Sequence, residues 1–195
     1  MEAKKGRREM KKFELTTEFI TNMFGKKLFR IKALVEFGNV KAGELGGYVE
    51  KEENVSQDGN AWVSGDARVY GDAEVSGDAR VSGNAEVSGN ARVSGNARVY
   101  GDAWVSGNAW VYGNARVSSD ADYALVQGFG TEFRCTTFYR GKNKKIMVNC
   151  GCFHGDLEGF RKQVKETRNG KIAKEYLMIA DLMEYHFTSE DSSNE

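Results

Sequence analysis

Residues 63–122 read VSGDAR VYGDAE VSGDAR VSGNAE VSGNAR VSGNAR VYGDAW VSGNAW VYGNAR VSSDAD, which are ten consecutive copies of one hexapeptide. Valine recurs at every sixth position from Val63, and alanine follows each valine by four residues. Only Ser119, in the last copy, replaces the glycine of the pattern. A short fixed period is the signature of a repeat architecture. The fold class therefore follows from this stretch.

Each copy predicts one short strand and one corner. Alanine and valine alternate with a variable and a polar residue, which is the period of a strand with one buried face. The Gly-Asp or Gly-Asn pair predicts a turn, because glycine tolerates positive φ and Asp or Asn bonds to nearby backbone. Strands this short, with a corner every six residues, favour a coil that stacks on itself. We therefore predict a mainly β chain built on a parallel β-helix.

The hexapeptide resembles the repeat of left-handed β-helix proteins of the bacterial transferase hexapeptide type. In that family the branched and the small residue face the core, and three copies close one triangular coil. The resemblance implies a single-stranded left-handed β-helix over residues 61–122. Positions eighteen apart would then stack at the strand spacing of ~4.8 Å. This stacking predicts three columns of outward side chains.

The first column is basic, because it contains Trp62, Arg80, Arg98 and Arg116, with Tyr100 beside it. Like charges on adjacent rungs oppose one another, so the column predicts a site for an anion or an acidic partner. The alternative is an arginine ladder that water and salt screen.

The other two columns alternate in charge. They place Arg68 opposite Glu86 and Glu74 opposite Arg92, which we interpret as cross-strand ion pairs. Exposed pairs of this kind contribute roughly 0.2–1 kcal/mol each. They predict a solvated and mildly stabilised surface.

Aromatic side chains also occupy outward positions of the repeats. A soluble monomer seldom leaves so much aromatic surface bare. Either the flanking segments cover it or a partner does, and interfaces favour Trp, Tyr and Arg. The predicted binding residues are the three arginines of the first column together with Trp62, Tyr100, Trp104, Trp110 and Tyr112.

The flanks divide into four further segments. Residues 1–12 are predicted as a disordered basic tail, and residues 13–60 as an N-terminal β cap with the first coil. Such a cap is needed because the first rung of a β-helix exposes ladder groups. The sequence of residues 123–187 predicts a small α+β module with two strands and two helices. Residues 188–195 are predicted as an acidic disordered tail.

Both flanks carry a resemblance of their own. The segment from Phe37 to Val63 is similar to the one that leads into the repeats of uncharacterised acyltransferase-like proteins of bacteria and prophages. The run from Val148 to Phe153, with the helices after it, is similar to a small C-terminal module of phage proteins. These resemblances imply a phage or prophage type of protein.

Metal binding has weak candidates in Cys150, Cys152 and His154, which would face one way on an extended strand, with Cys135 or His186 as a fourth ligand. Structural zinc sites usually space their cysteines more widely, and unliganded cysteines are the favoured alternative. We therefore predict no metal.

An acyltransferase is the activity that the resemblance implies, since many such enzymes use a histidine base and coenzyme A. Neither histidine of this chain, His154 or His186, lies in the repeats, and no loop interrupts the ten copies. A general base with a pKa near neutrality is therefore missing from the coil. We expect no catalytic residue and no cofactor, with a coenzyme A-dependent acyltransferase as the alternative.

The composition of the chain limits the classes of partner and the cellular compartment that we expect. The chain has 28 basic and 28 acidic residues, which argues against general nucleic-acid binding. It has neither an apolar run long enough for a membrane span nor a signal peptide, and its three cysteines fit a reducing compartment. We expect a cytoplasmic protein, in the host cell if it is phage-encoded.

The resulting hypothesis is a non-enzymatic β-helix binding or scaffold protein. It would engage a host macromolecule or an anionic ligand, and a counter-defence inhibitor or sequestering role fits the phage-like flanks. The family resemblance favours a homotrimer, and the C-terminal helices favour a homodimer.

Overall fold

The computed structural model describes residues 11–142 and 144–188. Three parts follow one another along the chain: an N-terminal three-stranded cap, a parallel β-solenoid, and a C-terminal sheet that carries two helices. The predicted mainly β fold with a parallel β-helix at its centre is confirmed.

The N-terminal cap consists of β1 (Phe13–Thr21), β2 (Lys27–Ala33) and β3 (Leu45–Val49). Strands β1 and β2 form an antiparallel hairpin, and β3 pairs with β2 on one side. On its other side β3 runs parallel to a solenoid strand, so that Val49 lies opposite Val69. The cap is therefore continuous with one face of the solenoid.

The solenoid contributes one two-residue strand from each repeat unit. These are β4 (Trp62–Val63), β5 (Arg68–Val69), β6 (Glu74–Val75), β7 (Arg80–Val81), β8 (Glu86–Val87), β9 (Arg92–Val93), β10 (Arg98–Val99), β11 (Trp104–Val105), β12 (Trp110–Val111) and β13 (Arg116–Val117).

Every third solenoid strand belongs to the same sheet. The three orders are β4-β7-β10-β13, β5-β8-β11 and β6-β9-β12, and all neighbours are parallel. Arg98 pairs with Arg80 on one side and with Arg116 on the other, which confirms the predicted register of eighteen residues.

The interior is a ladder of small and branched side chains. Each valine and alanine of the repeats from Val63 to Val117 is at most 1% exposed. Between rungs the backbone is hydrogen-bonded, as where the Arg80 N–H donates to the Ala97 carbonyl at 2.9 Å. The inward and outward assignment of the hexapeptide is therefore correct.

The corners require glycine for two reasons. Gly95 has φ of +68°, a conformation that costs a side chain roughly 1–2 kcal/mol. A Cβ atom on Gly95 would also lie 2.9 Å from the backbone nitrogen of Gly113, one rung away. At Gly113, with φ of +69°, the same Cβ atom would meet nothing within 4 Å. The stacked corners therefore exclude a methyl group as well as demanding positive φ.

Both ends of the solenoid are capped by side chains. At the first coil, the Lys12 ammonium group donates a hydrogen bond to the free carbonyl of Ala61 at 3.0 Å. The Asn54 side-chain amide donates to the free carbonyl of Ala73 at 2.8 Å. At the last coil, the free N–H of Trp104 donates to the Asp120 carboxylate at 2.7 Å. Such capping removes the open edge on which a further strand could add.

Lys12 belongs to this cap, although its position falls in the predicted disordered tail. Its side chain is only 4% exposed, and the neighbouring Lys11 pairs with Glu52 at 2.7 Å. The remainder of that tail, residues 1–10, lies outside the described residues, as do residues 189–195 of the predicted acidic tail.

The C-terminal module contains four strands and two helices. They are β14 (Tyr123–Phe129), β15 (Arg134–Arg140), β16 (Ile146–Cys150), β17 (Phe153–Asp156), α1 (Leu157–Thr167) and α2 (Gly170–Thr188). The strands form one antiparallel sheet in that order. The sequence predicts only β15 and β16, so β14 and β17 are additions from the structure. Two short 3-10 turns, Glu52–Asn54 and Asp120–Asp122, complete the elements.

The helices pack on this sheet as their patterns predict. The Asp156 carboxylate caps α1 by accepting from the Gly159 N–H at 2.9 Å. Phe160 of α1 and Met183 of α2 lie in one core with Phe138 and Val148 of the sheet. Ile172, at the start of α2, is half-buried. Across the described residues, neither helix is long and apolar enough to cross a membrane.

The stacked corners predict a difference between two alanine substitutions. Gly113→Ala should lower the free energy of unfolding by about 1 kcal/mol, because a residue with a side chain then adopts positive φ. Gly95→Ala bears the same cost and also presses a methyl group on the next rung, so it should lower the free energy of unfolding by at least about 1 kcal/mol more. Denaturant unfolding of both variants measures this difference. Equal losses would show that the rungs are not in close contact at this corner.

Because its pKa is lowered, the buried Lys12 side chain should make the free energy of unfolding rise with pH. Burial lowers its pKa from 10.5 to about 8, the charge of Asp58 opposes this, and the charge of Arg80 adds to it. Between those two pH values the unfolded chain keeps a proton that the folded chain has lost, so the free energy of unfolding rises with pH. We expect the stability of the wild type minus that of Lys12→Met to increase from pH 8 to pH 10 in denaturant titrations. A constant or falling difference would contradict this account.

Candidate functional site

The arginine column lies on the sheet β4-β7-β10-β13. Trp62, Arg80, Arg98 and Arg116 occupy equivalent positions on the four strands, each in register with the next. Burial lowers the pKa of Arg80, and the charge of Arg98 lowers it further, while Glu44 and Asp78 oppose the shift. Arg80 and Arg98 are therefore close enough for the charge of one to act on the other.

An open cleft of about 530 Å³ borders the first half of this column. Its walls include Arg80 and Arg98 together with Asn39, Asn60 and Asp78. The Asn39 side chain accepts a hydrogen bond from Arg80, and Asn60 donates to the Asp78 carboxylate at 2.7 Å. The cleft is polar, and its one carboxylate already has an amide partner.

A second open cleft, of about 340 Å³, continues the column toward the C-terminal module. Arg116 and Tyr100 come from the solenoid, while Arg140, Lys142 and Lys144 come from the hairpin between β15 and β16. A bridge between Ala115 and Gly141 fixes this hairpin against the solenoid. Sequence reasoning missed these three basic residues, and the only available signal was the basic composition of the turn.

Asp122 is the one carboxylate of the second cleft, and it is already engaged. It pairs with the Arg140 guanidinium at 3.1 Å and accepts from the Ser118 hydroxyl at 2.6 Å and the Ser119 N–H at 3.2 Å. Within the part of the chain that the structure describes, Arg116 and Lys142 form no ion pair.

These two clefts together form what we call the basic face, defined by Arg80, Arg98, Arg116, Arg140, Lys142 and Lys144. Six basic side chains line it beside two carboxylates, Asp78 and Asp122, both of which have partners. The basic side chains outnumber the carboxylates, so the face carries an excess of positive charge, although Asp78 and Glu44 offset part of the charge of Arg80.

The other faces differ from this one, and one prediction about them is wrong. Arg68 lies opposite Glu86, and Glu74 opposite Arg92, as expected. Among the residues described, neither couple closes to an ion pair within 4.0 Å; the Glu86 carboxylate instead accepts a hydrogen bond from the Tyr70 hydroxyl. The register is as predicted, but the partner of the Glu86 carboxylate is the Tyr70 hydroxyl and not the Arg68 guanidinium.

Trp62 requires a correction as a predicted binding residue. Its side chain is only 1% exposed, because Phe13 and Phe37 pack edge-on against it at centroid distances of 6.3 and 5.4 Å. The N-terminal cap covers this end of the column, so Trp62 is part of the core.

The remaining predicted aromatic residues do not converge on one surface. Tyr100, Trp104 and Tyr112 are each about 40% exposed, but they follow strands of three different sheets. Trp104 donates its indole N–H to the Ser88 hydroxyl at 3.0 Å. Trp110 is partly covered by the C-terminal module, with the His154 ring 5.1 Å away. Only Tyr100 borders the basic face.

The cysteine and histidine candidates are separated by a turn. Gly151, with φ of +61°, turns the chain so that Cys150 pairs with Phe153 across the hairpin and Cys152 stands at its tip. Cys150 accepts from the Thr136 hydroxyl at 3.1 Å, and the Cys135 thiol contacts the Asn108 carbonyl at 3.3 Å. Burial raises the pKa of Cys135. The described chain holds no cluster of three His, Cys, Asp or Glu side chains that could share a metal ion.

Comparison with known proteins bears on the repeats alone. A family model described as YdcK Beta solenoid repeat matches residues 91–107 and 97–112. The repeats are thus similar to a known β-solenoid. The matched segment extends from β9 to β12 and includes neither the cap nor the C-terminal module. No curated protein matches the chain.

Proposed function

We propose that the protein is a non-enzymatic binding protein in which the solenoid is a rigid scaffold and the basic face engages an anionic partner. The observation that supports this proposal is the column Arg80, Arg98 and Arg116, continued by the basic hairpin, on a face where basic side chains outnumber carboxylates. The partner is an anionic ligand or the acidic surface of a host macromolecule.

The rigidity of the ladder makes such a column useful for binding. Successive arginines are attached one rung apart, about 4.8 Å at the backbone, and their points of attachment cannot separate without breaking the ladder. Their mutual repulsion is relieved when an anion lies across them. Because the ladder fixes the backbone positions of these arginines in advance, binding requires no rearrangement of the main chain. An extended anion that meets one arginine per rung satisfies this geometry.

The proposal also covers the cellular role and the oligomeric state of the protein. The flanks resemble those of phage and prophage proteins, which supports a role in the host cytoplasm as a counter-defence inhibitor or sequestering protein. The repeats resemble the transferase hexapeptide family, which supports a trimer. Met178, Leu182 and Tyr185, exposed on one side of α2, support a dimer instead.

A coenzyme A-dependent acyltransferase is the second candidate, and one contact favours it. The Asn149 side-chain oxygen lies 2.7 Å from Nδ1 of His154, which orients the imidazole as a base requires. This candidate predicts binding of coenzyme A and loss of turnover in His154→Gln. The binding proposal predicts neither.

The basic face predicts that two arginine pairs differ in function. Arg98→Ser/Arg116→Ser removes two charges from the face, whereas Arg68→Ser/Arg92→Ser removes the same charge from equivalent repeat positions on the other two faces. Calorimetric titration with inorganic polyphosphate should show at least about a tenfold weaker affinity for the first variant, since charged hydrogen bonds contribute about 1.5–3 kcal/mol each. The second variant should bind like the wild type.

Two results would overturn the proposal. One is the absence of polyphosphate binding to the wild type at low ionic strength, where surface charges are least screened. The other is an equal loss of affinity in the two variants, which would show that net charge rather than the arginine column attracts the anion.

A further inference from the structure

A third cleft, of about 300 Å³, lies where the last solenoid rungs meet the C-terminal sheet. We call it the seam cleft and define it by Tyr112, Tyr139, Lys142, Met147 and His154. Its volume reaches the lower end of the range for small-molecule pockets, about 300–1,000 Å³. It contains none of the column arginines and shares only the turn at Gly141 and Lys142 with the basic face.

The walls of the seam cleft suit a flat apolar group. The Tyr112 and His154 rings lie 5.3 Å apart, and Trp110 packs edge-on against both. Tyr139 is only 3% exposed, and burial raises the pKa of its phenol to about 12, so the hydroxyl stays neutral. Three further lining residues are glycines, which leave the backbone open to a planar ligand. Such aromatic and backbone surfaces favour ring stacking.

The polar parts of the cleft are held in place beforehand. Asn149, which is 2% exposed, donates its side-chain N–H to the Trp110 carbonyl at 2.6 Å. Its side-chain oxygen is therefore the atom facing Nδ1 of His154 at 2.7 Å, and that nitrogen must carry the hydrogen. The histidine ring is thus fixed in orientation, and Nε2 is the nitrogen left to accept a hydrogen bond. A ring bound here meets walls that do not need to rearrange.

The charge on the cleft indicates the charge of its ligand. Lys142 and Lys145 line it, and no carboxylate does. Lys145 lies 3.5 Å from the Asp156 carboxylate, whereas Lys142 forms no ion pair in the described chain. One unpaired ammonium group matches a ligand with a single negative charge, which a carboxylate supplies.

We propose that the seam cleft binds a planar aromatic carboxylate of one or two rings. The ring packs against the Tyr112 and His154 rings, above Tyr139 and Met147, and the carboxylate meets the Lys142 ammonium group. This site shares Lys142 with the basic face but differs from the proposed anion site, because the ring supplies most of the contact and the arginine column supplies none.

The test uses indole-3-acetate as the probe, with acetate as its ring-free counterpart, and the imidazole signals of His154 in nitrogen-correlated NMR spectra as the readout. His186, on α2, serves as the internal reference. We expect indole-3-acetate to shift the His154 signals with a dissociation constant of about 1 mM or tighter, and acetate to shift them at least about tenfold more weakly. No shift with indole-3-acetate, or an equal response to acetate, would overturn the proposal.

Matched variants locate the site. Tyr112→Ala should weaken indole-3-acetate binding by about tenfold or more, since it removes one aromatic wall. Tyr100→Ala is the control, because Tyr100 holds the same place in its hexapeptide, is equally exposed at 40% against 41%, and lies outside the cleft. Arg98→Ser/Arg116→Ser should bind the probe like the wild type, so that failure of the anion proposal is told apart from failure of this one. Equal effects of the two tyrosine substitutions would contradict the placement.

Discussion

Contact between stacked corners is the constraint on which the rest of the structure depends. Each corner glycine adopts positive φ, and a methyl group on Gly95 would approach the Gly113 backbone to within 2.9 Å. Below the last coil, rungs held this closely allow the N–H of each outward strand residue to reach the carbonyl seventeen residues later, as Trp62 reaches Ala79 at 3.1 Å. The valine and alanine ladder then fills the interior completely. One spacing therefore fixes the backbone, the core and the position of each outward side chain.

Because of that spacing, arginines that recur every eighteen residues in the sequence lie beside one another on one surface. The backbone positions of Arg80, Arg98 and Arg116 are fixed one rung apart, because their strands pair in register. The bridge from Ala115 to Gly141 then attaches the C-terminal hairpin so that its lysines continue the column. The same bridge brings Lys142 to the seam cleft. The solenoid thus places the two proposed binding surfaces, which differ in chemistry, side by side.

The sequence predicts the solenoid well because the repeat is local. The strand, the corner and the register of Arg80 on Arg98 all follow from a period of six residues. It predicts the ends poorly, because these depend on contacts between distant segments. The burial of Trp62 needs Phe13 and Phe37, and the continuation of the basic face needs Lys142, none of which the period places. The orientation of His154 by Asn149 likewise arises only when β16 pairs with β17.

The most direct test of anion binding on the basic face is residue-specific NMR of the arginine side chains. Nε–H signals would be recorded while inorganic polyphosphate is added at low ionic strength. Our account predicts shifts for Arg80, Arg98 and Arg116, with Arg68 and Arg92 on the other faces unchanged. Uniform shifts of all five signals, or shifts confined to Arg68 and Arg92, would contradict it.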